Sequence, residues 1–277
     1  MTGLLSVAGS TPSEGFELKS VRGNVASNNY FSRSIAVAGN RKTWTYSVWI
    51  KINDPSTSVI PILYAHTGNS DTGHFEFGFE ATGSQLRLGG WNYNYRVTSA
   101  MHRDPAAWYH IVFVMDTTAG TEADRARFYI NGERVTSFAT TATINQNHEF
   151  AWNDVATAYF GSKGAAPYFG CYYAESYFLD GIVAGPEYFG ETNELTNQWQ
   201  PKNPTDIKQA VTFGTNGFYL PFSNDALATS FTDSGTYSTF FTPTEDLTCQ
   251  VLVVGGGGTS GTSGWTPGAG GAGGLVY

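Results

Sequence analysis

Cysteine, charge and long apolar runs are all scarce in this chain. Only two of its 277 residues are cysteine, Cys171 and Cys249, far apart and without CxxC or zinc-ligand spacing. A disulfide scaffold and a zinc site are therefore excluded, and the pair reads as two buried free thiols, a single bridge between them being the alternative. Charged residues make up 14%, against roughly 25% in an ordinary soluble domain. The net charge of −8 offers no electrostatic pull towards nucleic acid or anionic membrane, so no nucleic-acid partner is expected. No stretch approaches the 18 or more apolar residues of a spanning helix, so no membrane insertion is expected. The start, Met1-Thr-Gly-Leu-Leu-Ser, lacks the basic n-region and apolar core of a signal peptide, which predicts synthesis in a cytoplasm without secretion. Five histidines form no HxH or HExxH pattern. Gly255-Gly-Gly-Gly258 follows an apolar run but is succeeded by Thr, Ser, Gly and Pro, which do not propagate the helix a dinucleotide site needs.

What the chain does have is aromatics and glycine. Phe, Tyr and Trp together reach 15% and glycine counts 33. Each large ring can bury about 150–250 Å², so a substantial core is available without helix packing. Period-2 alternation appears repeatedly. Trp44, Tyr46, Val48 and Ile50 share one face of a strand, with Trp49 the exception on the other, and Phe75, Phe77 and Phe79 oppose Glu76 and Glu80. Further strands are predicted near 60–65, 85–88, 93–98, 158–161, 170–179 and 217–222. The dense run Trp108 to Met115, a polar loop, and Phe128-Tyr-Ile closed by Asn131-Gly132 predict a core strand followed by a two-residue hairpin turn with both residues at positive φ. Trp44, Val48, Trp108, Ile111, Phe113, Phe128 and Ile130 are expected to be largely buried. Short strands separated by Gly, Asn, Asp and Ser turns predict two packed antiparallel sheets.

Five ordered motifs carry a family resemblance over residues 16–222: Ala38-Gly-Asn-Arg-Lys-Thr-Trp-Thr-Tyr-Ser-Val-Trp49, the Trp108-Tyr-His hairpin with Asn131-Gly132, Tyr177-Phe-Leu-Asp-Gly181, Phe189-Gly-Glu191, and Gly214-Thr-Asn-Gly-Phe-Tyr-Leu-Pro-Phe222. The chain resembles laminin G-like domains with the concanavalin A-like jelly roll, in the version found in virion proteins of marine tailed bacteriophages. One departure stands out. Phage relatives follow the Asp-Gly with Gln-Ala-Leu-Thr-Pro, whereas this sequence has Ile182-Val-Ala-Gly-Pro186, so that loop is expected to be shaped differently.

After Ser223 the character changes. Cys249-Gln-Val-Leu-Val-Val leads into polyglycine that returns as Gly268-Ala-Gly-Gly-Ala-Gly-Gly-Leu-Val-Tyr277, resembling the start of the glycine-rich module of phage tail fibres. The resulting division is an N-terminal arm (1–15) that contacts other virion proteins, an all-β jelly-roll sandwich (16–222), a linker (223–228) and a glycine-rich β appendage (229–277). The chain then ends as a fragment of a longer fibre or in a segment completed by another subunit. Glycine offers no side chains to satisfy the appendage's backbone groups. Residues from about 229 onward are therefore expected to pack between copies of a homotrimer, burying Val251, Val253 and Leu275.

The resemblance implies a virion protein, a fibre, spike or capsid decoration, adhering to a host-surface glycan. Trp91, Tyr93 and Tyr95, in Gly89-Gly-Trp-Asn-Tyr-Asn-Tyr95, and Tyr168 and Tyr172, in Tyr168-Phe-Gly-Cys-Tyr-Tyr173, mix rings with Asn and Gly. Such segments form either a glycan platform or core and interface packing. Laminin G-like domains often hold calcium at the sandwich rim, which makes Asp116 and Asp180 the candidate ligands. The alternative role for both is side-chain to backbone bonding in turns. No other cofactor is expected. A polysaccharide-cleaving enzyme is the rival class. Retaining hydrolysis needs two carboxylates about 5–5.5 Å apart, and only Glu76 with Glu80 comes near. Both are read as solvent-facing on an amphipathic strand, and His110 as a structural hydrogen-bonder, so catalysis is not expected. A lectin-like adhesin outside any virus is the third reading.

Overall fold

The computed structural model describes residues 18–23, 30–52, 59–80, 84–164, 170–223, 233, 242–243 and 249–250. Two large antiparallel sheets face each other across the aromatic core. The first contains β1 (Ser20–Arg22), β3 (Thr43–Ile52), β8 (Tyr109–Asp116), β9 (Ala126–Ile130), β10 (Glu133–Arg134), β13 (Cys171–Asp180), β16 (Phe218–Leu220) and β18 (Cys249–Gln250). Its order is β10-β9-β8-β3-β13-β1-β18, with β16 also pairing β13. The second sheet contains β2 (Phe31–Ser34), β4 (Ile60–His66), β5 (His74–Phe79), β6 (Leu86–Gly90), β7 (Tyr93–Thr98), β11 (Phe138–Thr141), β12 (Thr157–Phe160) and β17 (Thr242–Pro243). It runs β11-β7-β6-β5-β4-β12-β2-β17. This is the all-β sandwich that the alternation predicts. Tyr93–Thr98 forms a strand over the predicted span, and the other predicted strands shift by a residue or two.

The inward faces are set by period 2. Trp44, Tyr46, Val48 and Ile50 enter the core from β3, and Phe75, Phe77 and Phe79 meet them from β5. Phe77 stacks on Phe113 at 4.4 Å between centroids, and Trp44 meets Phe113 edge-on at 5.1 Å. Such pairs add about 0.5–1.5 kcal/mol each beyond their area. Trp108 and Ile130 differ from expectation, since both are only half-buried. Trp108 precedes β8 and lies against Tyr172 at 6.2 Å, while Ile130 ends β9, paired with Ile111 of β8 on one side and covered only by the two-residue β10 on the other.

The outer face of the first sheet is also covered, which alternation alone did not show. Thr45 and Ser47 are buried, although they point away from the core. A second apolar cluster lies over them, joining Val112, Val114, Tyr177, Leu179 and Tyr219 to Phe189, Ile207 and Phe213. The covering layer is the hairpin β14 (Gly190–Thr192) with β15 (Trp199–Pro201) and the helix α1 (Pro204–Ala210). Helix α1 starts because the Asn203 side chain accepts the Thr205 N–H and proline fills the first turn. Its seven residues are the short helical turn the sequence allows.

The hairpin turn forms as predicted, with Asn131 at φ 50° and Gly132 at φ 87°. Three of the five motifs converge. Asp180 of the Leu-Asp-Gly motif accepts hydrogen bonds from Asn40 N at 2.7 Å, Asn153 Nδ2 at 2.7 Å and Asn216 N at 3.0 Å. Asn216 donates in turn to Asn153 Oδ1 and to the Val37 carbonyl. Three motif segments are thus tied by one buried carboxylate. Gly214 is required beside it, because it holds φ 75° and a Cβ there would lie 2.1 Å from the Asp180 carbonyl oxygen.

Past residue 223 the described parts return to this same chain. Asp233 accepts from Tyr219 N, β17 pairs with β2, and β18 pairs with β1. These described residues thus extend the sheet edges of the same sandwich, each pairing with it along one side. The arm at 1–15 and Val251, Val253 and Leu275 lie outside the described residues.

Candidate functional site

The five aromatic candidates do not form one platform. Tyr95 points inward from β7 and is buried against Phe150 at 5.1 Å, so it serves the core and is withdrawn as a ligand contact. The cause is parity: Tyr95 alternates to the inner face of its strand. Tyr172 sits on the opposite sheet, half-buried between the Arg22 and Lys51 cations and Trp108. Tyr168 and the Tyr93 side chain lie outside the described parts. Trp91 lies in the turn joining β6 to β7, half-buried beside His74 at 5.9 Å and His66 at 6.2 Å.

Around Trp91 the outer face of the second sheet carries a polar depression of about 300 Å³, lined by His74, Glu76, Arg87, Trp91, Asn92 and Asn94. Strand register builds it. Tyr159 of β12 opposes Tyr64 of β4, Tyr64 opposes Glu76 of β5, Glu76 opposes Gly89 of β6, and Gly89 opposes Asn94 of β7. One row across five strands therefore reads ring, ring, carboxylate, glycine, amide. The glycine is needed because the Arg87 guanidinium folds over it, and a Cβ at Gly89 would stand 2.2 Å from Arg87 Nη2. Arg87 thereby reaches Glu76 Oε2 at 3.2 Å and Glu80 Oε1 at 3.5 Å. Asn94 Nδ2 donates to Glu80 at 3.2 Å.

Glu76 is the centre of this arrangement and corrects its expected role. It is 2% exposed rather than solvent-facing, because Lys163 closes over it with Nζ 2.6 Å from Oε1. Burial by itself would raise its carboxyl, but His74, Arg87 and Lys163 together hold it below the usual carboxylate value. Beside it Tyr64 is pushed up by burial and by the negative charge of Glu76. His74 Nε2 lies 3.9 Å from Glu76 Oε2, and its Nδ1 is buried without a partner among the described residues. The depression thus offers fixed donors and acceptors next to an indole face. Arg87 and Trp91 stand close to the alternating pattern and were legible in principle through the Gly89-Gly90 pair. Lys163 arrives from a distant loop, and no local signal marks it.

The calcium candidates do not make an oxygen cage. N–H donors aim at both Asp180 oxygens, which leaves those lone pairs facing donors rather than a cation. Asp116 Oδ1 accepts from Thr118 Oγ1 at 2.6 Å in the turn after β8. Among the described residues no three His, Cys, Asp or Glu side chains gather as a metal set, so these residues do not fit calcium. Cys171 is a free, buried thiol pushed up by burial.

His110 lies on the other sheet and is structural. Its Nδ1 accepts from Trp199 Nε1 at 2.9 Å, so the proton sits on Nε2 and is donated to Ser47 Oγ at 2.8 Å. Burial pushes its pKa down to about 3.

A family model described as the concanavalin A-like lectin/glucanases superfamily, Laminin_G_3, matches residues 25–176. Among solved structures, the chain is similar to the heptameric SAP-like pentraxin from Limulus polyphemus, at 17% identity and TM-score 0.42, over 61% of this chain and 78% of that one. It is also similar to mouse laminin alpha1 chain domains LG4-5, at 10% identity and TM-score 0.42, over 76% of this chain and 50% of that one. The third is tailspike protein 2 of Escherichia coli O157:H7 bacteriophage CAB120, at 13% identity and TM-score 0.39, over 65% of this chain and 28% of that one. The chain thus spans half of the laminin pair and just over a quarter of the tailspike. No curated protein matches the sequence.

Proposed function

The chain belongs to the concanavalin A-like lectin/glucanases superfamily, and from that premise we propose that it is a non-catalytic lectin-like module whose second sheet binds carbohydrate on its outer face. The observation that carries this reading is the half-buried Trp91 beside the depression of His74, Glu76, Arg87, Asn92 and Asn94. An indole face stacks on the C–H face of a sugar ring. The charged and amide groups held at fixed distances then pair with hydroxyls, a few placed polar groups giving orientation in an otherwise simple site. Glu76 is pinned by two cations and held in its ionised form. That state suits a hydroxyl acceptor and opposes the raised pKa a general acid requires.

The setting we propose is a tailed-phage particle, with the module displayed as fibre, spike or capsid decoration. The five ordered motifs and the glycine-rich segment support it. Display in many copies makes weak single contacts effective, because linked sites raise the local concentration of one another.

Titration calorimetry with neutral oligosaccharides tests the binding site. Trp91→Ala is expected to weaken binding at least about tenfold, or about 1.4 kcal/mol, with little change in melting because the ring is on the rim. Unchanged affinity would overturn the site. Turnover of a polysaccharide by the parent protein that Glu76→Gln abolishes would replace binding with hydrolysis.

A further inference from the structure

The first sheet carries a second feature that glycan binding at Trp91 does not use. Four arginines gather near its β9–β10 edge, one of them facing it from β7 of the second sheet, and the guanidinium groups of three are hydrogen-bonded. Arg96 donates to the Tyr95 and Ala142 carbonyls and to Glu122 Oε1. Arg125 donates to the carbonyls of Ala119, Ile144 and Gly120. Arg134 donates to Asp124 Oδ1 at 2.6 Å and to the Ala123 carbonyl. The side chain of Arg127, between them on β9, has no hydrogen bond or ion pair among the described residues, and its Nε is buried without an acceptor. A buried guanidinium N–H left open is costly, so such groups usually have a partner.

Arg127 lines two clefts at once, one of about 360 Å³ towards Glu122 and Phe138 and one of about 480 Å³ towards the segment 183–188. The larger cleft is walled by Tyr129, Val183 and Tyr188, the last two among the exposed large apolar side chains. Its wall includes Val183-Ala-Gly-Pro186, the stretch where the sequence departs from the phage pattern. Glu187 is the acidic group on that wall. It lies against Gly185, where a Cβ would meet its Oε2 at 2.2 Å, and it makes no ion pair with Arg127.

We propose that this cleft binds an acidic sugar residue, its carboxylate taken by Arg127 and its ring lying against Tyr129 and Tyr188. The planar guanidinium matches a carboxylate with two parallel donors, and tyrosine faces beside it accommodate a pyranose body better than an extended acidic peptide. The site goes beyond the Trp91 reading and lies on the opposite sheet, so each can fail alone.

The experiment is affinity measurement with oligomers of galacturonate, glucuronate and mannuronate, with their methyl esters, and with a glutamate-rich peptide. At least one acid is expected to bind, its ester at least about tenfold more weakly, with affinity falling as salt is raised because the contact is ionic. Arg127→Gln is expected to lose that binding by at least about tenfold while keeping the parent's melting temperature and its neutral-sugar binding. Trp91→Ala is expected to leave acid binding unchanged. No binding to any acid, equal binding of acid and ester, or an unaffected Arg127→Gln protein overturns the proposal. Binding of the peptide in preference to every acid sugar assigns the cleft to a polypeptide and overturns it as well.

Discussion

Trp199 donates its indole N–H to His110 Nδ1 at 2.9 Å, and the two rings lie nearly parallel, 5.9 Å apart at 23°. Trp49 also stacks on His110, at 4.9 Å and 18°. One imidazole thus contacts two indoles, and it ties the covering hairpin to the first sheet. The Asn131-Gly132 turn completes the arrangement. Asn131 Oδ1 accepts the His110 N–H, and Gly132 lets Trp199 approach where a Cβ would stand 2.8 Å from its ring. The Trp-Tyr-His and Asn-Gly motifs are therefore one structural device.

Because burial holds His110 neutral with a pKa of about 3, the unfolded chain takes up a proton near pH 6.5 that the folded chain refuses. Stability from this group is present above pH 6.5 and is lost as pH falls towards 3. The loss between pH 6.5 and 5 is about 2 kcal/mol. Urea unfolding across this range should show that slope in the parent protein and a shallower one in His110→Gln, while the carboxylates contribute equally to both. Identical slopes would mean that the imidazole is not buried.

Gly132→Val should destabilise by about 2–4 kcal/mol, from β-branched strain at positive φ and from overlap with Trp199. In a Trp199→Ala background the overlap disappears and only the backbone part should remain. A double-mutant cycle in chemical denaturation with no coupling would show that the turn and the indole are independent.

Glu175 is buried at the bulge in β13, at φ 49°, and accepts from Tyr177 at 2.8 Å and from Tyr219 at 2.9 Å. Burial pushes its pKa up to about 7, against the pull of the two hydroxyls and Lys208. Its contribution is full below the unfolded value of 4.5 and is lost as pH rises through 7. Glu175→Gln keeps the acceptor and removes the ionisation cost. It should exceed the parent's stability at pH 8 by on the order of 1–3 kcal/mol, and parallel thermal-melting curves from pH 5 to 8 would contradict this.

Asp180→Ala leaves Asn40 N, Asn216 N and the Asn153 amide without their acceptor. A loss of about 3 kcal/mol or more is expected. The size should be the same with calcium or with a chelator in differential scanning calorimetry. A chelator-dependent difference would restore Asp180 as a metal ligand.

Local pattern carried the strands, the core and the turn, because a strand's two faces differ by parity and parity is written in consecutive residues. Phe75, Phe77 and Phe79 needed no tertiary information. Glu76 shows where that logic stops. Alternation placed it outward, yet its burial depends on Lys163 from another loop and on the space Gly89 leaves for Arg87. Trp91 was legible as a ring among glycine and asparagine, whereas Tyr95, in the same segment, went to the core because it lies on the inner face of β7 while Trp91 sits in the turn before that strand.

The sequence by itself determined that this chain is a two-sheet, aromatic-cored sandwich with an Asn-Gly hairpin, since propensity, parity and turn chemistry act between near neighbours. Tertiary structure alone decided which polar groups meet. The Asp180 knot, the depression at Glu76 and the open guanidinium of Arg127 each depend on side chains brought together from distant strands. Register and loop closure set those meetings, and neither is encoded in any short window of residues.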